Sequence, residues 1–91
     1  MLPIMVEQKP SSERLEQLGV FTWPIWSCEV SVFSWNYEQR EVCYLLDGEV
    51  VVTPEDGAPV ELSAGDLVIF PVGMHCQWDV LQPVRKYYRF G

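Results

Sequence analysis

The stretch REVCYLLDGEVVVT, residues 40–53, carries two apolar runs on either side of Asp47-Gly48. In the first run Glu41, Cys43 and Leu45 alternate with Val42, Tyr44 and Leu46. That period of two belongs to a β-strand, whose side chains point to opposite faces in turn. Asp-Gly between two such runs predicts a hairpin, because a type I′ turn needs two consecutive residues at positive φ.

The same period continues on both sides. Upstream, CEVSVFSW (residues 28–35) puts Cys28, Val30, Val32 and Ser34 on one face and Glu29, Ser31, Phe33 and Trp35 on the other. VFTWPIW before it is interrupted by Pro24, which indicates an edge strand or a bend. Downstream, PEDGA reads as a loop, PVEL as a short strand, SAGD as a turn, LVIF as a strand and PVG as a turn. HCQWDVL and VRKYYRF then read as two strands separated by Gln82-Pro83. Short strands with regular turn signals predict an all-β barrel or sandwich.

The N-terminal part differs. Pro10-Ser11-Ser12 followed by ERLEQLG predicts one short helix over about residues 11–18. Ser11 or Ser12 caps it, and Gly19 takes the left-handed conformation at its end. Leu15 and Leu18 share the face that docks. The 91 residues are read as a single domain, residues 1–91, with the barrel over about residues 20–90.

Composition narrows the function. Hydrophobic residues make up 48 % of the chain, enough for a core and too many for disorder. Six Lys and Arg against 13 Asp and Glu give a net charge of −7. That balance opposes nucleic acid and anionic membranes as partners. Arg85, Lys86 and Arg89 are the local exception and could hold an anion. Cys28, Cys43 and Cys76 show no C-x-x-C spacing and are expected as free thiols in a reducing compartment. The start, MLPIMV, is too short and lacks the basic residues of a secretory signal, and no apolar run is long enough to span a membrane. A cytoplasmic location is expected, and an organelle reached through a removed transit peptide is compatible with the sequence.

Two motifs carry a resemblance. Glu41 stands seven residues before Gly48, and Gly65 is followed after five residues by Pro71-Val72-Gly73. Both spacings, on strand–turn–strand patterns, are similar to the paired motifs of the cupin superfamily. The phrases WPIW, SWNY, CYLLDGEV, GDLVIFPVGMHCQW and PVRKYY resemble the small cupins related to (S)-ureidoglycine aminohydrolase. The resemblance implies an antiparallel double-stranded β-helix, or jelly roll, and in many relatives a bound metal.

At the ligand positions this sequence departs from the family. The paired histidines correspond to Trp35 and Tyr37, or to Ser34 and Asn36 in the alternative spacing. The later histidine position is Cys76, and the final asparagine position is Val80. His75 lies one residue early, so on a strand it faces away from Cys76 unless a bulge intervenes. The inward set is then expected to be Glu41, Cys43 and Leu45 with Cys76, Trp78 and Val80, joined by Trp35 and Tyr37.

A degenerate metal site follows from this pattern. No cofactor is expected. The alternative is a divalent Mn, Zn, Fe or Ni held by Glu41 and Cys76, with His75 a doubtful third ligand. A buried Glu41 needs a donor, for which Tyr37, Tyr44, Arg85 and Arg89 are the candidates, or else it is protonated. As a pocket carboxylate it is also the candidate general acid or base. The expected function is binding of a small polar organic molecule by Trp35, Tyr37, Glu41, Cys43, Cys76 and Trp78. The alternatives are a metal-dependent enzyme resembling ureidoglycine aminohydrolase, and a non-catalytic homodimer joined through β-edges near Trp23-Pro24-Ile25-Trp26.

Overall fold

The structure, a computed structural model, describes residues 3–91; the first two residues of the apolar start lie outside the described residues. Its elements in chain order are β1 (Met5–Gln8), α1 (Ser12–Leu18), a 3₁₀ turn (Val20–Thr22), β2 (Ile25–Cys28), β3 (Ser31–Asn36), β4 (Glu41–Pro54), β5 (Val60–Ser63), β6 (Asp66–Phe70) and β7 (His75–Phe90). All strand pairs are antiparallel. The fold is a small cupin-type β-barrel with a short N-terminal helix.

Two long strands organise the barrel. β4 and β7 pair from Glu41↔Phe90 to Pro54↔Cys76. The first part of β4 also pairs with β6, and its second part with β5. β7 pairs with β3 along its first part and with β2 along its second. The β4–β7 ladder therefore passes through both halves of the barrel, and each half is completed by shorter strands on its flanks.

The ladder changes direction at Asp47-Gly48. The expected hairpin is absent there. β4 continues without a break through Asp47-Gly48, and β7 continues through Gln82-Pro83 opposite it. The register shifts between Leu45 and Val50, as in a β-bulge. One class of β-bulge places a glycine at positive φ, as the hairpin turn does, so one dipeptide suits both. Gly48 has φ +104°, and a Cβ there would lie 2.6 Å from the Pro83 carbonyl oxygen and 2.7 Å from Val84 Cα. Pro83 has no N–H to offer a ladder, and it sits where the register is already broken. The actual turns are Pro54–Pro59, Ser63–Asp66 and Pro71–Met74. The second is fixed by the buried Asp66, whose Oδ2 accepts the Ser63 N–H at 2.9 Å.

The N-terminal segment adds a strand that its sequence does not announce. Met5–Gln8 pairs with β6, from Met5↔Ile69 to Gln8↔Asp66. The helix follows the cap signals: Ser11 Oγ accepts the Arg14 N–H at 3.2 Å, and Gly19 closes the helix at φ 75°. Leu15, Val20 and Leu67 form a small apolar cluster under it, with Trp23, Tyr44 and Tyr87 packed around them. The main core lies inside the barrel and includes Cys43, Leu45, Val50, Val52, Val68, Phe70, Trp78 and Val80.

The close approach at Gly48 gives a prediction. Gly48→Ala forces a Cβ into the β7 backbone and should cost more than about 3 kcal/mol. Gly73→Ala, at φ +85° with nothing within 4 Å of its Cβ, should cost only about 1–2 kcal/mol. Urea unfolding of the two variants checks the difference, and equal losses would mean that the bulge tolerates a side chain.

Candidate functional site

The inward face of the β4–β7 ladder creates a cavity of about 220 Å³ at one end of the barrel. Residues paired across an antiparallel ladder share a face. Glu41 is opposite Phe90, Cys43 opposite Tyr88 and Leu45 opposite Lys86. On the other side of β7, Phe33 is opposite Trp78 and Trp35 opposite Cys76. Strands β3, β4 and β7 thus turn Phe33, Trp35, Glu41, Trp78, Lys86, Tyr88 and Phe90 toward one space, to which Trp26 of β2 and Tyr37 of the β3–β4 connection are added. The mouth is marked by Trp35 and Phe90, 48 % and 47 % exposed.

The polar centre of this space is an ion pair. Lys86 Nζ donates to Glu41 Oε2 at 2.5 Å, and both side chains are buried. The ammonium also faces aromatic rings, 4.7 Å from the centroid of Trp78, 5.1 Å from Trp26 and 5.9 Å from Phe70. Those are cation–π distances, and the low polarity of the site strengthens both interactions. The pair is neutral as a whole. It presents a carboxylate oxygen and ammonium protons side by side in an otherwise aromatic pocket.

Lys86 is the residue that sequence reasoning missed. None of the four candidate donors for Glu41 is its partner. Arg85 faces outward and pairs with Asp47 at 2.8 Å on the surface, Arg89 is exposed, Tyr44 packs in the cluster under α1, and the Tyr37 hydroxyl accepts the Trp78 Nε1–H at 3.2 Å. The basic group Arg85, Lys86 and Arg89 is therefore split between the two faces of β7. Its signal was present in the alternation of VRKYYRF: Lys86 shares a face with Tyr88 and Phe90, which marks it as the inward cation.

Four of the expected site residues, Trp35, Tyr37, Glu41 and Trp78, line the cavity. Cys43 and Cys76 belong to the apolar core instead. Cys76 Sγ approaches the Trp35 carbonyl at 3.6 Å. His75 is exposed on the outer face, with Nδ1 hydrogen-bonded to Asn36 Oδ1 at 2.5 Å. Tyr37 is buried and stacks on Phe70, with ring centroids 4.7 Å apart and planes 7° apart. Trp23 and Trp26, expected at a dimer edge, are both half-buried in the body of the protein, and Pro24 and Ile25 between them are exposed.

These donors do not fit a metal centre. Among the described residues no three His, Cys, Asp or Glu side chains converge. The carboxylate that would lead such a set already binds an ammonium ion. Burial pushes the nearby Cys43 thiol up to about 12 and the Cys76 thiol up to about 11. No helix among the described residues is long and apolar enough to cross a membrane.

A β-barrel with these two motifs and an inward-facing polar centre is a cupin. The chain matches the model of the EutQ-like cupin domain over residues 15–88, and it belongs to that family. It is 49 % identical to a DUF861 family protein from Thermotoga maritima, with TM-score 0.94 over 98 % of this chain and 100 % of that one. It is 26 % identical to an ethanolamine utilization protein, EutQ, from Salmonella typhimurium LT2, with TM-score 0.66 over 72 % of this chain and 53 % of that one. It is 28 % identical to the EutQ protein of Clostridium difficile, with TM-score 0.64 over 70 % and 46 %. Comparison with curated proteins found no match.

Two predictions follow from the buried groups. Removing one member of the ion pair, by Glu41→Leu or Lys86→Met, strands a buried charge and should cost about 3–5 kcal/mol, while the double variant should recover most of the loss. A double-mutant cycle in urea measures this, and additive losses would show that the two groups do not depend on each other. The second concerns pH. Burial raises the Cys43 and Cys76 thiols above their ordinary value of 9.0, and burial followed by the Glu41 charge raises the Tyr37 phenol above 10.0. The folded chain keeps these protons at a pH where the unfolded chain releases them. Stability is therefore full below about pH 9 and falls as the pH rises toward the folded values, by roughly 1 kcal/mol between pH 8.5 and 10 from Cys43 alone. Chemical unfolding at the two pH values, with Cys43→Ala as the control that flattens the slope, tests the sign.

Proposed function

We infer that the protein binds a small, flat, neutral organic molecule in the barrel cavity, at a former cupin metal position where the Lys86 ammonium balances Glu41. The observation that carries this reading is the buried ion pair facing an open aromatic cavity. Core filling alone does not favour such a pair, because apolar residues of equal volume are commonly as stable or more so. A binding site does favour it: fixed polar groups in an apolar pocket orient a ligand. Glu41 accepts and Lys86 donates, so an edge that carries both a donor and an acceptor, as in an amide or ureide, satisfies both. Trp35, Phe90 and Tyr88 offer faces and edges to the flat body of such a molecule.

A metal-dependent reaction like that of ureidoglycine aminohydrolase has less support. It needs several ligands, and here the imidazole positions hold Trp35, Tyr37 and Cys76. The two EutQ relatives name no substrate for this chain, which spans only about half of their length.

Thermal-shift screening with benzamide and phenylurea as first probes tests the inference. A ligand at 100 times its Kd should stabilise the fold by about 2.7 kcal/mol. Trp35→Ala, at a half-exposed position, should leave the unliganded stability nearly unchanged and weaken binding about tenfold. Incubation with Mn²⁺ or Zn²⁺ should give neither a shift nor stoichiometric metal. A strong metal shift with no organic ligand found would overturn the reading in favour of the metalloenzyme.

A further inference from the structure

Three features of Lys86 stand together. It is 5 % exposed yet borders an open cavity. Its nitrogen is hydrogen-bonded to the Glu41 carboxylate, which also borders the cavity. Indole rings lie 4.7 Å and 5.1 Å from that nitrogen and favour a positive charge on it. We propose that Lys86 captures small aromatic aldehydes entering the cavity as a reversible imine, with Glu41 moving the proton.

The step balances within the site. One ammonium proton passes from Nζ to Glu41 along the existing hydrogen bond, which frees the nitrogen lone pair. The lone pair forms a C–N bond to the aldehyde carbon, the electrons of the C=O π bond move to oxygen, and that oxygen takes a proton from the now-cationic nitrogen to give a neutral carbinolamine. Glu41 returns its proton to the resulting hydroxyl. Water leaves, and a protonated imine remains on Lys86. The iminium carries the same single positive charge as the ammonium it replaces. Glu41 remains its counter-ion and the indole faces remain its cage, so no buried charge is created or lost.

The surroundings choose the carbonyl class. A dry cavity of about 150 Å³ already accepts benzene, and the space here is about 220 Å³ and lined mainly by aromatic rings. A keto acid would bring a carboxylate beside Glu41, and among the described residues the only cation facing the cavity is Lys86 itself. A neutral aldehyde on a single ring meets neither obstacle. The proposal rests on the reading that the cavity admits a small molecule, and it goes beyond that reading in naming a covalent contact.

The chain provides its own control, because its only lysines are Lys86 and Lys9, the latter exposed. Benzaldehyde with cyanoborohydride, which reduces the imine to a stable benzylamine, is followed by peptide mapping. Benzyl alcohol serves as the unreactive analogue, and its binding is read from shifts of the indole N–H signals of Trp26 and Trp78. The expected result is benzylation of Lys86 exceeding that of Lys9 by at least about tenfold, through proximity in the cavity, and competition by benzyl alcohol. Phenylglyoxylate should be trapped poorly at Lys86. Glu41→Gln should slow labelling of Lys86 and leave Lys9 unchanged; if that variant does not fold, the comparison of the two lysines in the native chain still decides. Equal labelling of both lysines, or none at Lys86, overturns the proposal. Benzyl alcohol binding without any Lys86 adduct removes the imine and keeps the binding site, whereas loss of both removes the two readings together.

Discussion

The rest of the structure depends on one steric constraint: at Gly48 the backbone of β4 passes so close to Pro83 and Val84 of β7 that no side chain fits. There the two longest strands bend together instead of ending. The bend lets one continuous ladder serve both halves of the barrel, with β6 and β2 flanking it on one side of the bend and β5 and β3 on the other. It also shifts the register, which decides which residues face inward on each side. Val50 and Val52 fill the core beyond the bend, while Glu41, Cys43 and Leu45 face inward before it. The register that turns Glu41 and Lys86 inward is therefore tied to a contact seven residues along β4 from Glu41 and two residues along β7 from Lys86.

The polar centre follows from that placement. A carboxylate on the inward face of an apolar barrel needs compensation. Here it comes from β7, the strand that already lies beside β4, so no separate loop has to be ordered for it. Lys86 sits opposite Leu45 rather than Glu41, and its long side chain spans the offset along the strand. The aromatic rings around it exclude water from the pair and leave the mouth accessible past Trp35 and Phe90. The outer face of the same strand carries Arg85 and Arg89 in solvent, so successive residues of one short segment work in opposite environments.

Much of the fold was legible, because strand alternation, the Ser11 cap and the Gly19 stop are local signals. Asp47-Gly48 was misread for a physical reason. The requirement for positive φ is local, but whether the chain reverses or merely bends depends on a partner strand more than thirty residues away. Gln82-Pro83 misleads in the same way, since a missing N–H looks like a strand break unless the opposite strand is known to bulge there. Met5–Gln8 gives too short a pattern to announce itself, and its pairing with β6 is non-local. Of the site, Glu41, Trp35 and Tyr37 could be read from motif spacing, and Trp78 from the alternation of its strand. Lys86 could not be read from charge, because lysines are so seldom buried; only its shared face with Tyr88 and Phe90 distinguishes it. Cys43 and Cys76 have the inward facing that alternation gives them but lie in the core, since facing alone does not fix depth.

The cation held between Trp26 and Trp78 also has an optical consequence. An indole in its excited state has a larger dipole than in its ground state, so a fixed charge a few ångströms away displaces the colour of its emission. Two of the four tryptophans lie beside one such charge, and a third, Trp35, stands half in solvent at the entrance. The barrel thus contains an electrochromic sensor of its own interior: any event that moves, neutralises or shields that nitrogen changes the light the molecule gives off, with no dye attached.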